Sequence, residues 1–175
     1  MLYLYSEPRT EVTIPVKIAV FSDTHRKTSG MLRAIDLEQP DLVFHLGDNE
    51  RDAESVARKY PAQAMLVVCG NCDHTPVNPE TREVTLEGVK ILATHGHRYR
   101  VKYELEPLLN LAHFSGAQVA LFGHSHRAVC ERFGEIWLVN PGTSGLGETP
   151  TYAVIEVRDG AVQSCEIRKI PRETI

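Results

Sequence analysis

The chain has 175 residues, of which 42% are hydrophobic and 24% are charged, and its formal net charge is −4. This length and composition are typical of one globular domain with a single core. The acidic balance, with no dense run of lysine or arginine, excludes the basic face that sequence-independent nucleic-acid binding needs. No apolar run approaches the roughly 20 residues of a membrane-spanning helix, so we expect a cytoplasmic protein without membrane association.

The first fifteen residues lack the basic start and the continuous apolar stretch of a signal peptide. We expect residues 1–15 to form an N-terminal arm that is either poorly ordered or added to a sheet edge. Residues 16–175 are expected to form the single domain, because no repeat, low-complexity run or internal linker divides them.

The first half of this domain alternates between strand and helix patterns. Strand patterns cover residues 16–21, 41–46 and 64–69, and helix patterns cover residues 30–38 and 52–60. Such a β-α-β-α-β order predicts a mainly parallel sheet with right-handed crossovers.

The second half is dominated by hairpin patterns. Glu87-Gly88 is a strong turn signal between two apolar runs, and later strands are joined by glycine turns. We therefore expect a mixed α/β fold, a four-layer αββα sandwich of two mixed β-sheets flanked by helices. One sheet is started by the β-α-β half and the other is finished by the hairpin half. The predicted elements here are strands at 82–86, 89–94, 118–122, 152–157 and 162–167, and a helix at 104–114.

Six short segments carry side chains that bind metals, and at least five of them follow a predicted strand directly. Open α/β sheets place their ligand sites at the carboxyl ends of strands, so the six segments predict one site. They are residues 22–25, 47–49, 70–73, 95–97, 123–126 and 140–143.

Three pairs of these side chains are two residues apart, which places both members on the same side of an extended backbone. Carboxylate, imidazole and amide ligands without thiolates suit Mn²⁺, Fe, Zn²⁺ or Ni²⁺ better than Cu(I) or an iron–sulfur cluster. The pairs are Asp23 with His25, His95 with His97, and His124 with His126.

In the order and setting of these motifs, the chain resembles the calcineurin-like metallophosphoesterase superfamily, and within it the small YfcE-type phosphodiesterases. The resemblance runs from about residue 16 to residue 169. It implies a first metal held by Asp23, His25 and His126, a second held by Asn71, His95 and His124, and Asp48 bridging both. The cofactors would then be two divalent cations, with Mn²⁺ expected ahead of Ni²⁺, Zn²⁺, Fe and Co²⁺.

The same resemblance implies a phosphodiesterase in which a water or hydroxide between the ions attacks phosphorus in line. The implied substrate is a small phosphodiester or nucleotide-like molecule. Asp48 and Asn71 are catalytic candidates, Asn71 because it would also contact the phosphoryl group.

Cys72 stands where many superfamily phosphatases have a histidine that helps to protonate the leaving group. The YfcE-type proteins also have cysteine there, so Cys72 indicates a subgroup. A thiol matches acid catalysis at neutral pH less well than imidazole. We therefore expect either a preference for good leaving groups or an acid from elsewhere, such as His74 or His97. Cys72 and His97 complete the catalytic candidates.

Several other residues have two interpretations. Asp73, Asn140 and His97 are candidates for outer hydrogen-bond partners that fix the imidazole tautomers, and Asn140-Pro-Gly-Thr143 is equally well a simple turn. Residues 98–103 present cations and aromatics to a nucleotide-like group, or form a solvated loop. His45 and His113 are expected to be packed, hydrogen-bonded histidines.

Two alternative functions belong to other classes. One is a catalytically weak metal-binding scaffold that resembles the retromer small subunit, which an exposed apolar patch would favour. The other is a thiol redox protein that uses Cys69 and Cys72. A homo-oligomer is compatible with every one of these functions.

Overall fold

Residues 14–172 are described by the computed structural model, and they form ten β-strands, three α-helices and one short 3₁₀ helix. The predicted N-terminal arm therefore lies outside the described residues, except for Ile14 and Pro15. In chain order the elements are β1 (Val16–Phe21), α1 (Ser29–Glu38), β2 (Leu42–His45), α2 (Glu50–Lys59), β3 (Ala64–Val67), β4 (Thr81–Leu86), β5 (Val89–Thr94), the 3₁₀ helix (His97–Tyr99), α3 (Glu106–Ser115), β6 (Val119–Leu121), β7 (Val129–Phe133), β8 (Ile136–Asn140), β9 (Thr151–Arg158) and β10 (Ala161–Lys169).

The first sheet has the strand order β10-β9-β1-β2-β3. Strands β1, β2 and β3 are parallel, with Ile18 opposite Leu42, as the alternating first half of the sequence predicts. Strand β9 runs antiparallel to β1 and closes the sheet together with β10.

The second sheet has the order β4-β5-β6-β8-β7, with a parallel centre of β5, β6 and β8. The hairpin predicted at Glu87-Gly88 joins β4 to β5, and both turn residues have positive φ. The hairpins do not all belong to this sheet, because the last one, β9–β10, joins the first sheet. Strand β9 is almost completely buried, and such a strand needs neighbours on both sides and cover on both faces.

Three apolar clusters define four layers. The largest lies between the sheets and contains Ile18, Phe44, Ile91 and Leu121. A second cluster packs helices α1 and α2 on the outer face of the first sheet, and a third packs α3 on the second sheet. The αββα sandwich is thus confirmed. His113 on α3 is exposed, so its expected packing is wrong, because it lies on the outward face of that helix.

A disulfide links the two sheets. Cys130 on β7 and Cys165 on β10 are bonded across a sequence separation of 35 residues. Both strands are the edges of their sheets, so the bond joins the sandwich along one side. Cys69 and Cys72, the pair that the sequence offers for thiol redox chemistry, are free thiols.

None of the helices within residues 14–172 is long and apolar enough to cross a lipid bilayer.

Candidate metal centre

All six motif segments begin within three residues of the end of a strand. Asp23, Asp48 and Asn71 follow the parallel strands β1, β2 and β3 of the first sheet. His95 and His124 follow β5 and β6 of the second sheet, and a sixth segment begins at the last residue of β8. The ends of both parallel centres therefore converge on one region, as the sequence predicts.

One cluster consists of Asp23, His25 and His126. A potential ligand atom from each of them lies within 4.8 Å of the other two. His126 Nε2 is 3.0 Å from Asp23 Oδ1, and His25 Nε2 is buried without a hydrogen-bond partner among the described residues. A buried imidazole nitrogen without a partner is costly unless something binds it, so this cluster fits a divalent cation.

The second cluster consists of Asp48, His95 and His124, again with ligand atoms within 4.8 Å of one another. His95 Nε2 is 3.3 Å from Asp48 Oδ1 and 3.1 Å from Asn71 Oδ1. The structure thus brings six of the seven predicted ligand residues into two neighbouring clusters, and the seventh, Asn71, lies beside His95. Asp48 lies in the second, and the hydrogen bond from His124 N–H to Asp23 Oδ2 connects the two.

The ring of His95 is oriented by a main-chain group. Its Nδ1 lies 2.7 Å from the carbonyl oxygen of Leu46. A carbonyl can only accept, so Nδ1 carries a proton, and Nε2 is the ring nitrogen that faces Asp48 and Asn71 and would bind a cation. The sequence analysis missed this partner, because a backbone carbonyl leaves no signal in the residue pattern.

Asp73 organises the backbone of two loops and does not contact an imidazole ring. Its Oδ1 accepts from the N–H groups of Asn49 and Glu50, and its Oδ2 accepts from those of Asp48 and Gly70. The four distances lie between 2.7 and 3.1 Å. The predicted outer position is therefore confirmed, but the predicted role as a tautomer partner is wrong.

Asn140 also acts on main chain. Its Nδ2 donates to the carbonyl of Gly123 and to Ser125 Oγ, and its Oδ1 accepts from Gly142 N–H. These bonds hold the loop that carries His124 and His126. The segment after β8 is therefore both a turn and a support for the site.

The backbone at these ligands is unusual. Five of the seven residues have positive φ, a region that non-glycine residues rarely occupy. Residues kept in this region at a cost of about 1–3 kcal/mol each cluster at functional sites. The five are Asp23 (54°), His25 (45°), Asp48 (56°), His124 (62°) and His126 (57°).

Two glycines let the loops approach these side chains closely. A Cβ at Gly70 would lie 2.2 Å from Asp48 Oδ1, and a Cβ at Gly123 would lie 2.0 Å from Ser22 Oγ. Ser22 Oγ in turn donates to Asp23 Oδ2. Neither glycine leaves room for a side chain.

Mutual interactions set the charge states of the second cluster. Burial alone would raise the pKa of Asp48, but the hydrogen bond and charge of His95 and the N–H of Cys72 outweigh it, so this pKa is lowered. Burial alone would lower the pKa of His95, but the hydrogen bond to Asp48 and the charges of Asp23 and Asp48 outweigh it, so this pKa is raised. Burial and the charge of His95 lower the pKa of His124 to about 4. His124 is therefore neutral near pH 7, as a metal ligand must be.

The two candidate proton donors lie beside the clusters. The Cys72 side chain as a whole is exposed. Partial desolvation of its thiol, together with the nearby carboxylate of Asp48, raises the pKa of Cys72 to about 11. The ring centroid of His97 is 5.5 Å from that of His95 and 6.1 Å from that of His124. Burial lowers the pKa of His97, and its Nδ1 has no hydrogen-bond partner within residues 14–172.

A chain of buried polar side chains lies beneath the first cluster. His45 Nε2 is 3.0 Å from Thr24 Oγ1, and Thr24 Oγ1 donates to Asp52 Oδ2 at 2.7 Å. The packed, hydrogen-bonded state of His45 is confirmed. The position of His45 in an apolar run was the signal for it, whereas Asp52 gave none because it reads as an ordinary helix-start residue.

Known proteins that are similar to this chain include metallophosphoesterases. A family model described as the calcineurin-like phosphoesterase superfamily domain matches residues 16–160. A Mycoplasma pneumoniae protein named a probable metallophosphoesterase is 30% identical over 154 residues, 83% of this chain and 92% of the relative. Phosphodiesterase YfcE of Escherichia coli K12 is 29% identical over 106 residues, 54% of each chain. The structure of Vps29 from Entamoeba histolytica, 20% identical, superposes with a TM-score of 0.68 over 89% of this chain and 99% of that one.

Proposed function

Because the chain belongs to the calcineurin-like phosphoesterase superfamily, we propose that it is a metal-dependent phosphodiesterase with a dinuclear centre. The observation that carries the proposal is the pair of three-residue clusters at the strand ends. Two divalent cations bound there would supply Lewis acidity and a water of lowered pKa. Mn²⁺ is the proposed native cation.

The chain's own residues would bind and orient the substrate. Asn71 is exposed and its Oδ1 faces His95, while its Nδ2 donates only to Cys72 Sγ within residues 14–172, at 3.3 Å, which leaves the second hydrogen of the amide. This amide N–H group is free to donate to a phosphoryl oxygen. Asp48 would contribute a carboxylate that stays ionised at any physiological pH, since its pKa is lowered.

The surroundings favour a diester over a monoester. One cleft beside the clusters is lined by residues that include His25, Cys72 and His74. A separate groove is lined by residues that include Lys102 and the 83%-exposed Tyr103. A diester has two ester arms, and the two openings would receive one each. YfcE, a relative over half of the chain, is named a phosphodiesterase.

Two residues are candidates for protonating the leaving group. With a pKa of about 11, Cys72 is a weak acid, which agrees with a preference for good leaving groups. His97 is the other candidate, since it is half-buried next to the second cluster.

The experiment that tests the proposal compares bis-p-nitrophenyl phosphate with p-nitrophenyl phosphate on chelator-stripped protein, with Mn²⁺ added back. We expect diester turnover that requires metal and that disappears in Asp48→Asn. The number of bound ions per chain, measured by mass spectrometry, should fall from two towards one or fewer in the same variant.

The likeness to Vps29 is compatible with a second candidate, a metal-binding scaffold with little turnover. The same experiment distinguishes the phosphodiesterase from the scaffold. Tight binding of Mn²⁺, Zn²⁺, Ni²⁺ and Co²⁺ without hydrolysis of either ester would favour the scaffold.

A further inference from the structure

A cleft borders the first cluster next to the loops that follow β1 and β3. Its volume of about 320 Å³ is at the small end of ordinary ligand sites, which span about 300–1,000 Å³. A second hollow shares Arg26, Asn49, Cys72 and His74 with it and is also lined by Glu50, Arg51, Asp73 and Thr75. We call this continuous space the arginine trench.

Two exposed arginines in the trench have no side-chain partner among the residues that the structure describes. The guanidinium groups of Arg26 and Arg51 make no hydrogen bond or ion pair with any residue in 14–172, and both side chains are exposed. Several arginines elsewhere are paired with carboxylates, for example Arg98 with Glu80 and Arg132 with Glu135. Arginine forks are well suited to bidentate recognition of phosphate.

Two carboxylates, those of Glu50 and Asp73, also line the trench, and both already accept hydrogen bonds from main-chain N–H groups. Glu50 is 3% exposed and accepts hydrogen bonds from the N–H groups of Val77 and Asn78. Asp73 accepts from four N–H groups of the adjoining loops. Both acids are therefore engaged in holding the backbone, and neither guanidinium lies within bonding distance of them.

The backbone that carries the two arginines is well fixed. Arg26 N–H donates to the buried Asp52 at 2.7 Å, and Arg26 itself has a φ of 68°. Arg51 belongs to the first turn of α2, where the helix dipole also favours a negatively charged ligand. A ligand bound by Arg26 and Arg51 would therefore restrict the motion of only two side chains, and no loop would have to become ordered.

Building on the proposed phosphodiesterase function, we propose that the preferred substrate carries a second phosphate group on one of its ester arms. The scissile phosphate lies at the two clusters, and the second phosphate lies in the arginine trench, bound by Arg26 and Arg51. His25 lines the trench and also belongs to the first cluster, so the two phosphates would be neighbours on one small molecule. Nucleotide diesters that also carry a terminal phosphate have this chemistry.

The test compares thymidine 3′-(p-nitrophenyl phosphate) bearing a 5′-phosphate with the same ester bearing a 5′-hydroxyl. Charge-assisted hydrogen bonds from one arginine correspond to about a tenfold effect or more. We expect KM to be at least about tenfold lower for the phosphorylated ester, and this ratio to collapse in Arg26→Ala and in Arg51→Ala. Arg26→Lys should restore only part of it, because lysine lacks the fork.

Arg58→Ala is the matched control. Arg58 lies on the same helix as Arg51, is exposed, and donates only to Ser55 within the described chain. Its removal changes the net charge equally without touching the trench, so the ratio should persist. A ratio near one in the wild type, or an equal loss in Arg58→Ala, would overturn the proposal.

A binding measurement separates this proposal from the proposed function. Calorimetry with thymidine 3′,5′-bisphosphate and thymidine 3′-monophosphate needs no turnover. If no ester is hydrolysed but the bisphosphate binds at least about tenfold tighter in wild type than in Arg26→Ala, the trench stands and the phosphodiesterase function fails. If esters are hydrolysed but both nucleotides bind alike, the trench proposal fails alone.

Discussion

His95 Nδ1 donates to the carbonyl oxygen of Leu46 across 2.7 Å, and this bond ties the end of a strand in one sheet to the end of a strand in the other. The two residues are 49 positions apart, and both are fully buried. The bond fixes the tautomer in which Nε2 faces Asp48 and Asn71. Packing of the two sheets and the ligand geometry of the second cluster are therefore one structural feature.

His95→Asn and His95→Ala should separate these two contributions. The amide of asparagine can take the place of Nδ1 and keep the bond to Leu46, whereas alanine leaves a buried carbonyl unpaired. We expect the metal-free alanine variant to be less stable than the asparagine variant by about 1–3 kcal/mol in urea unfolding. Both variants should lose the second metal ion in titrations. Equal stability of the two would show that the bond to Leu46 contributes nothing.

Asp73→Asn should disturb the site from outside the ligand set. An amide nitrogen would face backbone N–H groups that now donate to a carboxylate, and the position of Asp48 depends on these bonds. We expect a loss of about 2–3 kcal/mol in stability together with weaker Mn²⁺ binding. Asp159→Asn, at an exposed turn with a φ of 51° that asparagine tolerates, is the control. It should change stability by less than about 0.5 kcal/mol.

Glu38 should contribute stability that depends on pH. Its buried carboxylate accepts from Tyr152 Oη at 2.7 Å and from Arg168 Nη1 at 2.6 Å. Burial alone would raise the pKa of Glu38, but the bonds to Tyr152 and Arg168 outweigh it and lower this pKa. The contribution is complete above the unfolded-state pKa of about 4.3 and is lost as the pH falls through the lower folded-state pKa.

The measurement is urea unfolding of wild type and Glu38→Gln at neutral and acidic pH. We expect Glu38→Gln to be less stable by about 1–3 kcal/mol at neutral pH, and this gap to narrow in acid. Glu166→Gln removes the exposed partner of the same arginine and should cost less than about 1 kcal/mol. A gap that does not change with pH would contradict the assignment.

Cys72→His should change the dependence of turnover on the leaving group. The thiol has a pKa of about 11 and donates a proton poorly near neutral pH. An imidazole at the same exposed position should speed the hydrolysis of esters of poor leaving groups by about 100-fold, the lower end of the range of general acid catalysis. Esters of p-nitrophenol should change little. An equal effect on both ester classes would point to repositioning of Asn71 or Asp48 instead.

The bond between Cys130 and Cys165 should account for part of the stability. In the chain-entropy account, closing a loop of this length contributes roughly 3–4 kcal/mol, so reduction or Cys130→Ser should lower the unfolding midpoint. Thiol titration of unreduced, denatured protein should find two free thiols, those of Cys69 and Cys72. A count of four would mean that the bond is not formed. That result would agree with the cytoplasmic location expected from the sequence, because the cytoplasm keeps thiols reduced.

The sequence by itself determined the local structure and predicted the residues of the candidate site. The alternation of strand and helix patterns predicted the parallel half, and Glu87-Gly88 predicted the hairpin, because both depend on neighbours within a few residues. The ligand set was visible for the same reason, since each motif follows a strand and aims its side chains at one edge.

Tertiary structure alone decided contacts between segments that are distant in the chain. The assignment of β9 and β10 to the first sheet, the disulfide, and the carbonyl of Leu46 behind His95 depend on how the two sheets stack. So do the four N–H groups around Asp73 and the free arginines of the trench. Backbone groups have no residue identity, and a side chain's partner is set by packing. A one-dimensional pattern records neither.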